Sequence, residues 1–388
     1  MKASDISLKK IIMKMGNFDI YLATKGGEEK NYALWIEDFT KTPSKKILRH
    51  VNNQLFIIKT LNHPNVLKYF ENIKENRKIY VLTEYYNGGT LQDFLDKYLQ
   101  EHNKPPSEEI VQYIMRQIIE GVKYLHNKKI FHRDLKLEYI MLNYEDEKDK
   151  ENNNIIKAKI IISDFLSAGY FKKGRFYNEI IGTPGYMEPG ILNKMLKTDS
   201  YDFYEYNEKC DIWSLGIIFF ELLMGYHPFN SANTEELLDK VNKGDYFIPI
   251  NLSKEAVSFL NCMLQYYPSK RVSIDILYKH RFLRKEINKF KKFDLNKIKS
   301  CIVNSKIKLN TRAEKSSKNF IDFNEDFNSD SEEEKEIINS KNKKQILDDM
   351  FSNAIQEKEN DPIIIEPKLI PFMLGDDSEI FKEFYTNF

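Results

Sequence analysis

The chain has 388 residues, too many for one ordinary core, which points to a two-lobed unit or two domains plus an extension. Its 59 Lys and Arg balance 58 Asp and Glu, so no global basic field is available to recruit nucleic acid, and none is expected as a partner. Three cysteines (Cys210, Cys262 and Cys301) are odd in number and lack Cys-x-x-Cys or Cys/His spacing, which sets aside disulfide frameworks and zinc ribbons and makes a reducing compartment the default. The expected localisation is therefore the cytoplasm, with the nucleus left open. The lysine-rich stretch Met1 to Met15 has no continuous apolar core and does not read as a secretory signal. The most apolar run, Ile212 to Gly225, is short and contains Glu221, so no membrane span is expected.

Taken in chain order, the first part reads as strands with one helix. Phe18 to Ala23 and Asn31 to Ile36 flank Lys25-Gly26-Gly27-Glu28, a turn signal, and predict a hairpin. Leu48, Val51, Leu55, Ile58 and Leu61 recur at helical spacing and predict a helix over Ile47 to Leu61. Lys78 to Tyr85 is a short apolar strand. From Thr90 onward helices dominate: Leu91 to Leu99, Ser107 to Leu125 with Ser107 as N-cap and Gly121 as an internal cost, Cys210 to Met224, Thr234 to Val241, and Lys254 to Gln265. Glu145 to Glu151 is charged at every position and reads as a surface loop between two strands. Beyond Leu283 the composition shifts. Residues 322 to 336 hold eight acids against one lysine, which predicts a solvated, unfolded segment. Gln345 to Ile355 reads as a short helix and Ile380 to Phe388 is aromatic-rich.

Six short motifs occur in a fixed order: His63-Pro64-Asn65, His132-Arg133-Asp134-Leu135-Lys136, Ser163-Asp164-Phe165, Gly182 through Pro189 (Gly-Thr-Pro-Gly-Tyr-Met-Glu-Pro), Asp211 through Gly216 (Asp-Ile-Trp-Ser-Leu-Gly), and Pro268-Ser269-Lys270-Arg271. Each alone is weak. Together, in this order, they make the chain from about Ile11 to Leu283 resemble a eukaryotic protein kinase domain, nearest to Ser/Thr kinases of the calmodulin-dependent type. The resemblance implies an α+β bilobal fold over residues 8–283, with a small β-rich lobe (8–84) and a larger helical lobe (85–283). Residues 284–388 form an extension outside it.

What the resemblance implies for the chemistry is mixed. Phosphoryl transfer needs nucleotide phosphates and metal held in line with an acceptor hydroxyl. The phosphate-binding lysine of a Val-Ala-Ile-Lys strand falls at Trp35, after Tyr32-Ala33-Leu34, and its glutamate partner falls at Gln54. Losing both is informative, because losing one strands a buried charge whereas losing both is close to neutral. The glycine-loop positions fall near Met13, Met15 and Phe18, with only Gly16 nearby; Lys14 and Lys25 are the lysines that would substitute from that side. The metal-binding Asn of the catalytic loop is Tyr139, and the glycine after Asp164-Phe165 is Leu166, which is expected to stiffen or displace that turn.

Retained positions are Asp134 (catalytic base), Lys136 (phosphate contact) and Asp164 (the single remaining metal ligand), probing at most part of the reaction. Ile20, Ala33 and Met141 match the residues that sandwich adenine, Thr83 the gatekeeper, and Glu84 to Tyr86 the hinge. Ile58, Tyr69, His132 and Phe165 match the stack that links the lobes. Glu179 stands three residues before Gly182, where many kinases carry an activating phosphate, and is expected to pair with Arg133. The Glu that normally pairs with Arg271 is Gly190, leaving Glu188 to reach across. Two readings follow. In one the chain is a pseudokinase, a scaffold or allosteric partner of another protein (a kinase or a kinase substrate), with no cofactor required and at most weak, metal-independent ATP binding. In the other it is an atypical active Ser/Thr kinase acting on basic peptides, which Glu138 would read. Ser329 to Glu334 is an acidophilic phosphorylation context, and Phe381 to Phe388 resembles a hydrophobic motif that some kinases dock on their own small lobe.

Overall fold

The computed structural model describes residues 2–15, 18–40, 45–172, 177–196, 206–248 and 252–284. All of them except Leu252 belong to one compact unit. The readings for residues 285–388, including the acidic segment, Gln345 to Ile355 and the Phe381 to Phe388 motif, lie outside the described residues, as does Gly16.

The small lobe is a five-stranded antiparallel sheet in the order β1-β2-β3-β5-β4, formed by β1 (Ile6–Met15), β2 (Phe18–Lys25), β3 (Tyr32–Asp38), β4 (Tyr69–Glu75) and β5 (Lys78–Glu84), with α1 (Lys45–Ile58) between β3 and β4. The hairpin predicted from Lys25-Gly26-Gly27-Glu28 is β2–β3. Gly26 and Gly27 take φ +49° and +84°, a left-handed pair that glycine adopts at no steric cost. β1 and β2 pair up to Met15 opposite Phe18, where a glycine loop was expected. Side chains alternate along each strand. Tyr21, Ala23 and Lys25 of β2 therefore share one face with Tyr32 and Leu34 of β3, opposite which they pair, and Ile20 and Leu22 share the other with Ala33 and Trp35. The first face carries a buried cluster of Ala23, Tyr32, Leu34 and Leu82.

The larger lobe is helical. It comprises α2 (Leu91–His102), α3 (Glu108–Asn127), β6 (Ile130–Phe131), β7 (Ile140–Asn143), α4 (Glu147–Glu151), β8 (Lys159–Ile162), β9 (Gly169–Tyr170), α5 (Pro189–Leu196), α6 (Lys209–Met224), α7 (Thr234–Lys243), α8 (Lys254–Met263), α9 (Ile274–Tyr278) and α10 (Arg281–Arg284). α2 starts with a capping box in which Thr90 and Asp93 satisfy each other's backbone N–H. α6 is the hub: every residue from Cys210 to Met224 is buried. None of the described helices is long and apolar enough to cross a membrane.

Three sequence expectations are corrected. Ser107 is the N-cap residue of α3, but its side chain makes no capping bond. Gly121 is not merely a cost, since a Cβ there would sit 2.7 Å from Ile162 Cδ1 and 2.8 Å from the Asn65 carbonyl oxygen. Its absence lets α3 press against β8 and the segment before β4. The all-charged stretch between β7 and β8 is not wholly a loop: Asp146 accepts a hydrogen bond from Lys148 N and caps the one-turn helix α4.

The base of the larger lobe holds a buried ion pair between Arg271 and Glu188, with both side chains fully buried. Arg271 also donates to the carbonyls of Gln265, Tyr266 and Lys209, and lies 5.2 Å from the Trp213 ring centroid. Glu188 thus supplies, from two positions earlier, the carboxylate that the kinase pattern places at Gly190. Substituting Arg271→Met strands the Glu188 charge and is expected to cost on the order of 3–5 kcal/mol of stability. Urea denaturation checks this. Adding Glu188→Gln should recover part of the loss; an unchanged midpoint for the single variant would contradict the assignment.

Candidate functional site

The site is organised by the chain between β6 and β7. The carboxylate of Asp211, at the start of α6, accepts hydrogen bonds from the backbone N–H groups of His132 (2.9 Å) and Arg133 (2.8 Å), and lies 2.8 Å from His126 Nε2. Burial pushes its pKa up, but the bond and charge of His126 and the Arg133 amide hold it below the ordinary carboxylate value. Two backbone amides on one charged acceptor fix the loop, and Arg133 takes φ +67° within it.

His132 is fully buried, and its ring meets Phe165 edge-on at 5.1 Å. Its Nε2 bonds the Ser163 carbonyl at 2.9 Å. Ile58 is buried as well, and Tyr69 is half-buried. β8 is tied to the segment before β4 by bonds from Leu67 N to Ile162 O and from Ile162 N to Asn65 O, each 2.9 Å. That connection places Ser163-Asp164-Phe165 directly beneath the sheet lobe. Asn53 of α1 donates to the Ala168 carbonyl at 2.8 Å, so α1 is bonded to the segment that follows Phe165.

Asp164 takes φ +54°, a left-handed conformation that Asp tolerates, and its Oδ1 accepts from Leu166 N at 3.0 Å. Leu166 itself is not in the left-handed region. The positive φ of this turn belongs to Asp164 and not to the position where the kinase pattern has glycine. Asp134 accepts a hydrogen bond from Thr183 Oγ1 at 2.8 Å. Lys136 does not project freely: its Nζ lies 4.2 Å from the centroid of the Tyr139 ring. Burial, then the negative charges of Asp164, Asp134 and Glu138, push the Tyr139 phenol's pKa far up, so it stays protonated. Burial likewise raises the Asp164 pKa, aided by Asp134 and opposed by the Leu166 N–H, His132 and Lys136. Asp134, Lys136, Asp164 and Tyr139 are therefore brought together in one cluster.

The positions matched to adenine are partly exposed: Ile20, Ala33 and Met141 are half-buried, while Thr83 is buried and donates to the Ala33 carbonyl at 3.3 Å. Glu84 N bonds the Lys68 carbonyl at 2.9 Å, and the Tyr86 hydroxyl accepts from Lys68 N at 3.0 Å, so the hinge is fastened to the segment before β4. Trp35 is half-buried on the face of β3 that also carries Ala33. Of the two substitute lysines, Lys25 is corrected. It lies on the opposite face of the sheet and its ammonium pairs with Glu71. The Lys14 side chain is outside the described residues.

Further along, the guanidinium of Arg133 pairs with Glu179 and donates to Ser167 O at 2.6 Å and to the Tyr206 hydroxyl at 3.4 Å. The expected contact between Arg133 and Glu179 is present. Tyr177 and Tyr206 exchange backbone bonds of 2.8 Å, which closes the segment over the loop.

Sequence reasoning missed Glu37. It is 1% exposed on β3, on the same face as Trp35, and neither carboxylate oxygen has a hydrogen-bond partner. Burial, with a smaller push from Asp38, raises its pKa to about 7. The signal was present: the residue is two positions beyond Trp35 on a strand whose inward face alternates.

A two-lobed body, an Asp-anchored His-Arg-Asp loop, an Asp-Phe turn seated against it and a closed segment ending at Pro189 together define a protein kinase fold. The protein kinase domain model matches residues 15–283, and the chain belongs to that family. It is 34% identical over 247 residues to calcium-dependent protein kinase 5 of Plasmodium falciparum, covering 62% of this chain and 39% of that one. It is 31% identical over 296 residues to the probable serine/threonine-protein kinase HSL1 of Saccharomyces cerevisiae, covering 74% and 18%. It is 30% identical over 288 residues to a probable myosin light chain kinase of Dictyostelium discoideum, covering 73% and 84%. The chain thus spans less than half the length of the first two and most of the third.

The Glu37 carboxyl gives a pH signature. The folded chain holds its proton up to about pH 7, whereas the unfolded chain releases it near the ordinary carboxylate value of 4.5, so stability falls as pH rises between those values and then levels off. Glu37→Gln should remove this slope and stabilise the protein near pH 8 by on the order of 2 kcal/mol. Urea unfolding across that range measures it. A variant as pH-sensitive as the parent, or less stable at pH 8, would contradict the assignment.

Proposed function

We propose that the chain is a pseudokinase, a protein kinase-like scaffold or allosteric regulator of another protein, with at most weak nucleotide binding. The observation that carries this reading is Tyr139 standing where the kinase pattern has its metal-binding Asn, under the charge of Asp164 and with the Lys136 ammonium 4.2 Å from its ring centroid. A second Mg²⁺ ligand belongs at that place in the kinase pattern. A neutral phenol is a poor ligand for Mg²⁺, which demands compact oxygen donors in tight octahedral geometry. The donor set therefore does not fit two metals. Trp35 and the buried Gln54 stand where the lysine and its glutamate partner would be, and Lys25 is turned away.

The frame around this cluster supports a regulatory role. The edge-on contact of His132 with Phe165, the bond from α1 to Ala168 and the pairing of Glu179 with Arg133 hold one arrangement without a phosphate on the segment. Hinge backbone groups do not depend on the absent charges, which favours weak adenine binding without metal.

A second reading, an atypical active Ser/Thr kinase, draws on the same assembled segment and on Asp134, which Thr183 orients. The kinase names of the relatives agree with it. Exposed Glu138 would then favour basic peptides.

A thermal-shift titration separates the two. Under the first reading, ATP raises the melting temperature little, and Mg²⁺ adds nothing. A Mg²⁺-dependent shift, with phosphate transfer to a basic peptide that Asp134→Asn abolishes, would overturn it.

A further inference from the structure

β1 is an outer strand of the small-lobe sheet, and among the described residues it pairs with β2 alone. The chain just before it is tied down: Ala3 N donates to Glu75 of β4 at 3.2 Å, and Gly26 N donates to the Asp5 carbonyl at 2.9 Å. From Ser7 to Ile12 every residue is exposed. Leu8, Ile11 and Ile12 are 52%, 42% and 37% exposed, so three of the ten large hydrophobic side chains exposed among the described residues fall on one short stretch of one strand. An open edge with free backbone N–H and C=O groups and exposed aliphatic side chains is a template for a further strand.

The register of this edge sorts its side chains. Leu8 stands opposite Ala23 and Ile11 opposite Tyr21, on the face that carries the buried cluster, whereas Lys10 stands opposite Leu22 on the other face. Lys9 and Ile12 are extra residues at two bulges. β1 contains no Asp or Glu. Lys9 donates to Asn31 Oδ1 at 2.9 Å, and no carboxylate among the described residues pairs with Lys9 or Lys10. Two copies joined edge to edge through β1 would set these lysines against one another, and the bulges disfavour a flat self-pairing. The edge therefore opposes its own kind and suits a strand with apolar side chains on one side and acids on the other. The chain itself contains such a segment. In Phe320-Ile321-Asp322-Phe323-Asn324-Glu325-Asp326-Phe327-Asn328, an extended backbone puts Ile321, Phe323 and Phe327 on one side and Asp322, Asn324 and Asp326 on the other.

We infer that residues 320–328 of this chain dock on the open edge of β1 as a sixth strand of the small-lobe sheet, with Ile321, Phe323 and Phe327 on the side of Leu8 and Ile11, and Asp322 and Asp326 on the side of Lys10. Reach is no obstacle. Residues 285–319 join Arg284, the last described residue, to this segment. A coil of that length spans roughly 30–35 Å on average, and fully extended it exceeds about 100 Å. Tethering holds the segment near the edge at an effective concentration on the order of millimolar, which an untethered acidic peptide does not match. A segment too acidic to bury a core of its own gains order by pairing with a preformed edge. The inference goes beyond the reading of the cleft, because it uses none of Asp134, Tyr139 or Asp164 and holds for an active or an inactive chain. Its consequence is local: β1 forms a hairpin with β2, so the added strand would stiffen the end of the sheet where the glycine loop was expected.

Hydrogen exchange of the full-length chain, read by mass spectrometry at low protein concentration, reports the pairing from both strands. Amides within residues 6–13 and 320–328 should exchange at least tenfold more slowly in the parent than in Phe323→Ser combined with Phe327→Ser, whose changes lie outside the kinase domain. Lys10→Glu should speed exchange of both segments by a similar factor, and adding Asp322→Lys with Asp326→Lys should restore the protection. Exchange of residues 320–328 at the free-chain rate in the parent overturns the proposal, as does protection of residues 6–13 that neither the tail substitutions nor Lys10→Glu reduces. Zero-length carboxyl-to-amine cross-linking of mixed light and isotopically heavy chains identifies the occupant. Links from Lys9 or Lys10 to Asp322, Glu325 or Asp326 within one chain are expected; links between light and heavy chains would make a second copy the occupant and overturn the assignment.

Discussion

The arrangement of the site rests on one buried carboxylate. Asp211 accepts two consecutive backbone amides of the His132–Arg133 loop and meets His126 from α3. A charged acceptor in a dry interior is costly unless its lone pairs are filled, and here three donors fill them. Because the acceptor sits on α6, the most completely buried helix, the loop inherits that helix's rigidity. His132 is then presented to Phe165, Arg133 to Glu179 and Asp134 to Thr183, each from one fixed stretch of backbone.

This frame is intact, and Asp134, Lys136 and Asp164 lie within it, while Trp35, Gln54 and Tyr139 stand where the kinase pattern places a lysine, a glutamate and an asparagine. The replacements follow a common physical rule: buried charges are changed in pairs. Trp35 and Gln54 stand together in place of a Lys–Glu pair. Glu188 supplies the carboxylate that Gly190 lacks, so Arg271 is never left alone. Glu37 is the exception, a buried carboxyl with no partner, and it is held near neutrality by a raised pKa instead. Near Asp164 the same logic operates on a smaller scale. The Tyr139 ring receives the Lys136 ammonium at 4.2 Å from its centroid, which gives that cation an internal partner.

Much of this was legible in the sequence because it depends on order and period. Helical spacing located α1, α3, α6, α7 and α8 to within a few residues, and six motifs in fixed order carried the family. Pairing of Arg133 with Glu179 followed from their separation within the kinase pattern. The misses were of a different kind. Leu166 was read as a disruption because the glycine rule was applied to the wrong residue of the turn; the left-handed backbone falls on Asp164. Lys25 was a candidate substitute until strand parity placed it on the far face. Gly121 needed the third dimension, since only the approach of Ile162 and Asn65 explains it. α4 hides in a run of charges because a single Asp cap suffices for one turn.

The metal position beside Asp164 separates an inactive chain from an active one. Water-proton relaxation with Mn²⁺, titrated into the full-length chain in the presence of a non-hydrolysable ATP analogue, reads it directly. Enhancement should match that of the nucleotide–Mn²⁺ complex alone for the parent chain, with a protein-bound ion appearing in Tyr139→Asn. Two tightly bound ions per parent chain would contradict the account.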